Sequence, residues 1–353
     1  MRAIFPLTTA LFLSACLAAS GAVKKSASPE VPSAGTQSRT EASSARLYAN
    51  ALRIISLAND SHFLVVPSNA YAAEPHAMLG YTVDAKTHAV LRSFNLSSGL
   101  GPGVAREGTV GQIFGAALSH DRTLLACSGS YLDANGAVKS AIVIRRATAH
   151  GDWRPVQVIH EITGAGDLAF TSDGGLLAVE FDPHRSADGA PLLVRFDANG
   201  RRTKELFAQE PGLSPVNGAQ RSVRGRLQAL GDDRFAFHDG VSARVEIFRV
   251  DGDDISELRR IDAAVLKNDE AIDRVRGWRL DAEGGLTVVR LPPATPKAPR
   301  VYRLVTIAAD GHVLREDEVA PSFTKVFWEN DALWGVNGDA AELSLNYLSP
   351  ADR

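Results

Sequence analysis

The amino-acid sequence predicts an all-β fold: a six-bladed β-propeller of four-stranded antiparallel blades over residues 46–350. Three observations carry that expectation. A short pattern of apolar strand end, tight polar turn and second apolar strand returns six times along the chain. A second hairpin-like pair follows five of these copies, so units of about 50 residues hold four strands each. No long stretch with a helical period competes with these short β-rich runs.

The first copy is Leu57-Ala58-Asn59-Asp60-Ser61-His62-Phe63-Leu64-Val65, followed by Met78–Val83 and Val90–Phe94. The two clearest copies are Leu118-Ser119-His120-Asp121-Arg122-Thr123-Leu124-Leu125-Ala126 and Phe170-Thr171-Ser172-Asp173-Gly174-Gly175-Leu176-Leu177-Ala178. They align without a gap at a spacing of 52. Leu230–Phe235 and Trp328–Leu333 carry a turn one residue shorter, and Leu280–Val288 keeps the full length. Asp, Asn and Gly suit these turns because they tolerate positive φ or bond their own backbone. The last unit ends after a third strand at Glu342–Leu348, and Arg46–Ala51 supplies the strand that would close the ring. Closure removes sheet edges that would otherwise invite aggregation. A β-sandwich and a seven-bladed ring are the alternatives.

The N-terminus reads as an export signal. Arg2 precedes a short apolar run, Ala3 to Ala15, too short to span a membrane, and the run ends Leu13-Ser14-Ala15-Cys16. Those four residues resemble the bacterial lipobox. The resemblance implies a signal peptide over 1–15 and a lipid on Cys16, with Leu17 rather than aspartate next, a pattern that favours the outer membrane. Residues 16–45 are rich in Ser, Ala, Gly, Thr and Pro and bury too little to order themselves. Such a tether reaches roughly 30 Å. Multiple acyl chains would anchor it stably. The expected place is the bacterial cell envelope, lipid-anchored at the outer membrane and facing the periplasm.

The repeat geometry over residues 46–350 resembles the six-bladed propellers of the TolB-like and NHL-like kind. The chain lacks a WD dipeptide at blade ends and any YWTD run, so the resemblance implies architecture, and function must come from a site. In an up-and-down blade, the A–B turns lie on one face and the B–C and D–A loops on the other. Here the A–B turns are tight, whereas Pro67–Ala77, Cys127–Ser140, Phe181–Ala190, Asn95–Gly111 and Ala208–Gly225 are long. Long loops on a rigid scaffold are where binding residues gather. Four residues before each aligned apolar position stand Arg53, Phe114, Gly166, Arg226, Arg276 and Thr324, with Gln112, Asp167 and Lys325 close by. Guanidinium groups converging there would favour carboxylate or phosphate. The candidate ligand-binding residues at the channel mouth, on the long-loop face, are therefore Arg53, Gln112, Asp167, Arg226, Arg276 and Lys325. Pairing of each arginine with a local acid such as Asp232 or Asp273 is the plain alternative.

The nearly balanced charge of −3, with Lys and Arg scattered in ones and twos, argues against a nucleic-acid binder. No nucleophile elbow, zinc-protease helix, P-loop, Cys-x-x-Cys pair or EF-hand loop occurs, so no cofactor and no metal is expected. His76 and His184 are the best histidine pair, both in long loops, and Cys127 reads as a buried, inert thiol. Two function classes remain. One is a binding or scaffold propeller presenting its long-loop face to an envelope protein or an anionic small ligand, with the membrane as its other partner. The alternative is a lactonase-like or cyclase-like propeller enzyme. The resemblance to propeller lactonases would imply a calcium ion held by carboxylates and amides, which an arginine-rich mouth disfavours.

Overall fold

A computed structural model describes residues 51–57, 61–67, 79–96, 98, 112–133, 135, 137–160, 162, 164–180, 191–208, 226–239, 244–262, 264, 274–281, 284–291, 301–319, 323–329, 332–337 and 344–347. These residues form a β-propeller of antiparallel blades. The first blade pairs β1 (Ala51–Ser56), β2 (His62–Pro67), β3 (Leu79–Asp84) and β4 (Val90–Asn95) in sequence order. The second is β5 (Ile113–Leu118), β6 (Leu124–Leu132), β7 (Val138–Ala147) and β8 (Trp153–Ile159). The third is β9 (Ala165–Phe170), β10 (Leu176–Glu180), β11 (Pro191–Phe196) and β12 (Arg202–Ala208). β13 (Arg226–Gly231), β14 (Arg234–His238), β15 (Arg244–Asp251) and β16 (Asp254–Asp262) make the fourth. β17 (Arg274–Leu280), β18 (Leu286–Leu291), β19 (Arg303–Ile307) and β20 (Val313–Glu318) make the fifth.

Five four-stranded blades thus stand where the sequence predicts six. The remaining strands, β21 (Phe323–Glu329), β22 (Ala332–Asn337) and β23 (Ser344–Tyr347), form a three-stranded sheet. The expected closing strand accounts for the difference. Ala51 pairs with Pro67 and so belongs to the first blade, and residues 46–50 lie outside the described residues. Residues 1–45, with Cys16 and the expected signal peptide, lie outside them too.

Apolar layers fill the seams between sheets. Ile142, Ile144, Leu176, Val194 and Phe196 pack the second blade on the third, and Phe235, Phe237 and Phe248 pack the fourth against Leu177 and Leu193. Trp334 of β22 packs edge-on against Phe63 of β2, with ring centroids 5.1 Å apart. The first strands touch in order, β1 on β5, β5 on β9, β9 on β13, β13 on β17 and β17 on β21, and β21 touches β1. The outermost strands mix charge with some exposed apolar side chains: β16 and β20 expose Glu257, Arg259, Arg260, Arg315 and Glu316 beside Leu258, Val313 and Leu314, and β8 carries Pro155. Charges and proline on an edge discourage pairing with another chain.

Candidate functional site

The strands that touch one another line a central cavity of about 600 Å³. A repeated irregularity sets which side chains reach it. β1 shifts register between Ala51 and Arg53, β5 between Ile113 and Gly115, β17 between Val275 and Gly277, and β21 between Phe323 and Lys325. An extra residue in a strand re-aims the residues that follow it. The turns fix the same alignment, because Leu57, Ser119, Thr171 and Asp281 each donate a backbone N–H across the start of the A–B turn. Counting back from them puts Arg53, Gly115, Asp167 and Gly277 on one level, and the bulge and the turn pairing of β13 add Lys325 and Arg226.

This corrects the predicted register. Arg276 and Phe114 occupy bulge positions one residue before that level, because a gapless alignment cannot count an inserted residue. Side-chain placement at Arg276 and Lys325 lies outside the described residues. Gln112 is exposed and does not line the cavity; its backbone is tied to Ser130 through 3.3 and 2.9 Å hydrogen bonds. His76 and His184 lie outside the described residues.

Arg53, Asp167 and Arg226 do come together. Asp167 is 5% exposed, and its Oδ1 accepts from Arg53 Nη2 and lies 3.6 Å from Arg226 Nη1. Its Oδ2 accepts from the Leu227 N–H at 3.1 Å. A carboxylate so deeply buried is tolerable only with such partners. Arg53 and Asp167 lie on the first and third blades, and the second blade presents Gly115 at that level. A Cβ at Gly115 would overlap the carbonyl oxygen of Gly166, so glycine is what lets β9 approach β5. Buried Ser128 holds that approach by donating to the Ala165 carbonyl at 2.6 Å.

From this cluster the cavity runs past Ala116, Ala117, Ala169, Ala229, Trp278 and Trp328 to the A–B turns, where His120, Arg122, Ser172, Asp233 and Arg234 line it. The sequence predicts the mouth on the opposite face, among the long loops. Residues 68–78, 99–111, 181–190 and 209–225 of those loops lie outside the described residues. Five arginines line the cavity against three aspartates. One of the three, Asp233, is already engaged by the Ser172 N–H at 2.7 Å and by its hydroxyl. Arg279 stacks over the Trp328 ring at 5.8 Å. Among the described residues no cluster of three or more His, Cys, Asp or Glu is placed to hold a metal.

Cys127 is 2% exposed, and burial pushes its thiol up to about 11, as expected of an inert cysteine. Sequence reasoning missed Gly115 and Ser128, which build the site without touching its charges. The tight packing of β5 on β9 that requires them is a tertiary contact with no local signature.

No protein-family model matches this chain, and no curated protein sequence matches it. Solved structures do resemble it in fold. A Bacteroides fragilis protein described as exported aligns at a TM-score of 0.51 and 11% identity, covering 85% of this chain and 82% of that one. A luciferin-regenerating enzyme aligns at 0.47 and 12% identity over 84% of this chain and 91% of its own. A glucose dehydrogenase aligns at 0.46 and 13% identity over 84% and 96%. At such identities the likeness is one of fold: the chain is a β-propeller.

Proposed function

We propose that this chain is a cell-envelope lipoprotein whose propeller binds an anionic ligand, or an acidic segment of a partner, in its central channel. The observation that carries this reading is the convergence of Arg53 and Arg226, 173 positions apart in sequence, on buried Asp167 inside a cavity lined by five arginines and three aspartates. Like charges gathered in one cavity favour an added anion, and the planar guanidinium fork matches carboxylate or phosphate. Binding is preferred to hydrolysis because both oxygens of Asp167 already accept hydrogen bonds, leaving that carboxylate poorly placed to serve a metal.

The test is calorimetric titration with citrate at low salt. Wild type should bind it, Arg53→Ala/Arg226→Ala should bind at least about tenfold more weakly, and 0.2 M salt should weaken the wild type. Equal citrate binding by both proteins would sink the channel reading. We also infer that β21, β22 and β23 belong to a sixth blade completed by residues 46–50. Deleting 46–50 should lower Tm, and an unchanged Tm would refute closure. The anchor rests on Leu13-Ser14-Ala15-Cys16, and Cys16→Ser should leave the protein unlipidated; retention in washed membranes after signal cleavage would contradict it.

A further inference from the structure

Among the described residues, the tight turns at the other end of the cavity share one design in the third and fifth blades and depart from it in the second and the fourth. In the third blade Gly174 takes φ +82 and donates its N–H to Thr171; in the fifth Gly284 takes φ +87 and donates to Asp281. The equivalent residue of the second blade is Arg122, at φ +58, donating to Ser119 at 2.8 Å. Glycine is the residue that adopts this left-handed backbone without strain, and an arginine held there stores some. Asp232 and Asp233 on the same rim are left-handed as well, at +51 and +52. Strain kept on a cavity rim is an observation that points to use.

Arg122 is half-buried and lines the cavity. The acid beside it makes no ion pair with it. Asp121 accepts from Ser119 Oγ at 2.6 Å, from Thr123 Oγ1 at 2.8 Å and from the Thr123 N–H at 3.1 Å, and those bonds hold its carboxyl below the usual range. Among the described residues no acceptor meets the Arg122 guanidinium. His120 stands beside it, and Arg234 lines the same end.

Between this rim and the Arg53–Asp167–Arg226 cluster the wall is mostly alanine, tryptophan and other apolar side chains; the polar exceptions include Gln228, which accepts from the Leu280 N–H at 3.0 Å, and Arg279, which stacks on Trp328. Asp167 and Ser172 both line the cavity, five residues apart along β9 and the start of its turn, a span of at most about 17 Å. A cavity of about 600 Å³ is of the size that encloses a small-molecule ligand.

We infer that Arg122 forms a second anion subsite at the tight-turn mouth, so that the channel takes an elongated dianion with acidic ends and an apolar middle. This rests on the reading of the channel as an anion site and adds a chemical class to it. The probes are dodecanedioate, which carries two carboxylates, and dodecanoate, which carries one, titrated calorimetrically into the full chain. Wild type should bind the diacid at least about tenfold more tightly than the monoacid. Arg122→Gly, which restores the residue of the sister blades, should bring the diacid down to the monoacid's affinity, leave the monoacid unchanged, and leave Tm unchanged or slightly higher. Arg122→Asn, which also tolerates the left-handed backbone, should do the same.

Undiminished diacid binding in Arg122→Gly would overturn the subsite, as would equal binding of the two acids, or of neither, by wild type. Arg226→Ala should weaken both acids. If it weakens neither while Arg122→Gly still weakens the diacid, the Arg122 subsite stands and the deeper cluster is the part that fails.

Discussion

Arg145 on β7 lies opposite Leu125, Arg195 on β11 lies opposite Leu177, and Leu125 and Leu177 are the same residue of the 52-residue repeat. Both arginines are buried, at 0% and 2% exposure. Their surroundings differ. Arg195 donates to Asp173 and Asp253 at 2.5 Å each, and to Thr203 Oγ1 at 3.0 Å. Arg145 donates to the carbonyls of Leu96, Ser98 and Val143, and among the described residues no carboxylate meets it; burial lowers its pKa. The third blade compensates its buried cation with charge, the second with backbone dipoles. Because Asp253 comes from the fourth blade and Leu96 from the first, each arginine also ties its blade to a different neighbour. One repeat position therefore supports the same side chain through two kinds of partner, and the two should fail under different conditions.

The largest expected effect comes from truncation. Arg145→Ala leaves a void and several buried carbonyls without donors, and should cost about 4 kcal/mol. Arg195→Ala leaves a similar void, but Asp173 and Asp253 are 44% and 69% exposed and can return to water. Its cost should be nearer 2 kcal/mol. Urea midpoints of the two variants measure the difference. A larger loss for Arg195→Ala would mean that the carboxylates, not the carbonyls, hold the blades.

An intermediate effect belongs to the second blade at alkaline pH. Cys127 stands two residues along β6 from Leu125, the partner of Arg145; burial is the main reason its thiol is pushed up to about 11, and the arginine's charge opposes that shift. A raised folded pKa means that the folded chain holds the proton more tightly. Its stabilisation is complete below the unfolded value near 9 and fades as pH rises toward 11. The shift corresponds to about 2 to 3 kcal/mol lost across that window. Cys127→Ala should be the less pH-sensitive protein between pH 9 and 11, judged by Tm. Parallel curves for the two proteins would show that the thiol titrates as it does in the unfolded chain.

Much of the blade pattern was legible in the sequence because turn chemistry is local. Asp121, Asp173 and Asp281 all accept backbone N–H bonds within A–B turns, as their residue type predicts. The site was legible only in part. Arg53, Asp167 and Arg226 could be proposed because they recur at nearly one register. The bulges that displace Arg276 could not, since a bulge leaves no mark on a gapless alignment. Nor could the buried roles of Arg145 and Arg195: an arginine within a β-run reads as an outward residue until the neighbouring blade supplies its acceptors. Arg122 was visible all along as the departure from Gly174 and Gly284, but its meaning depends on a backbone angle.

The smallest effect is the acid limb of the third blade. Burial is the largest influence on Asp173 and would raise its pKa, but hydrogen bonds from Thr171 and the Gly175 N–H, with the charge of Arg195, outweigh it and hold the carboxyl below its usual value. A lowered folded pKa means that the unfolded chain binds the proton more readily. The stabilisation is therefore present above pH 4 and lost as pH falls through the lowered value. Because Asp173 is nearly half exposed, solvent screens the pair, and the pH-dependent part should be about 1 kcal/mol or less. It should appear as a stability gap between wild type and Arg195→Met that narrows from pH 7 to pH 3, and narrows again in 0.5 M salt. The Asp121 carboxyl is also held below its usual value, by Ser119 and Thr123 and not by Arg195, so its contribution cancels in the comparison. Arg145→Met, measured beside it, should show a gap that does not move over that range, since carbonyl oxygens have no proton to gain. If both gaps narrow together, the two blades do not differ in the way their partners imply.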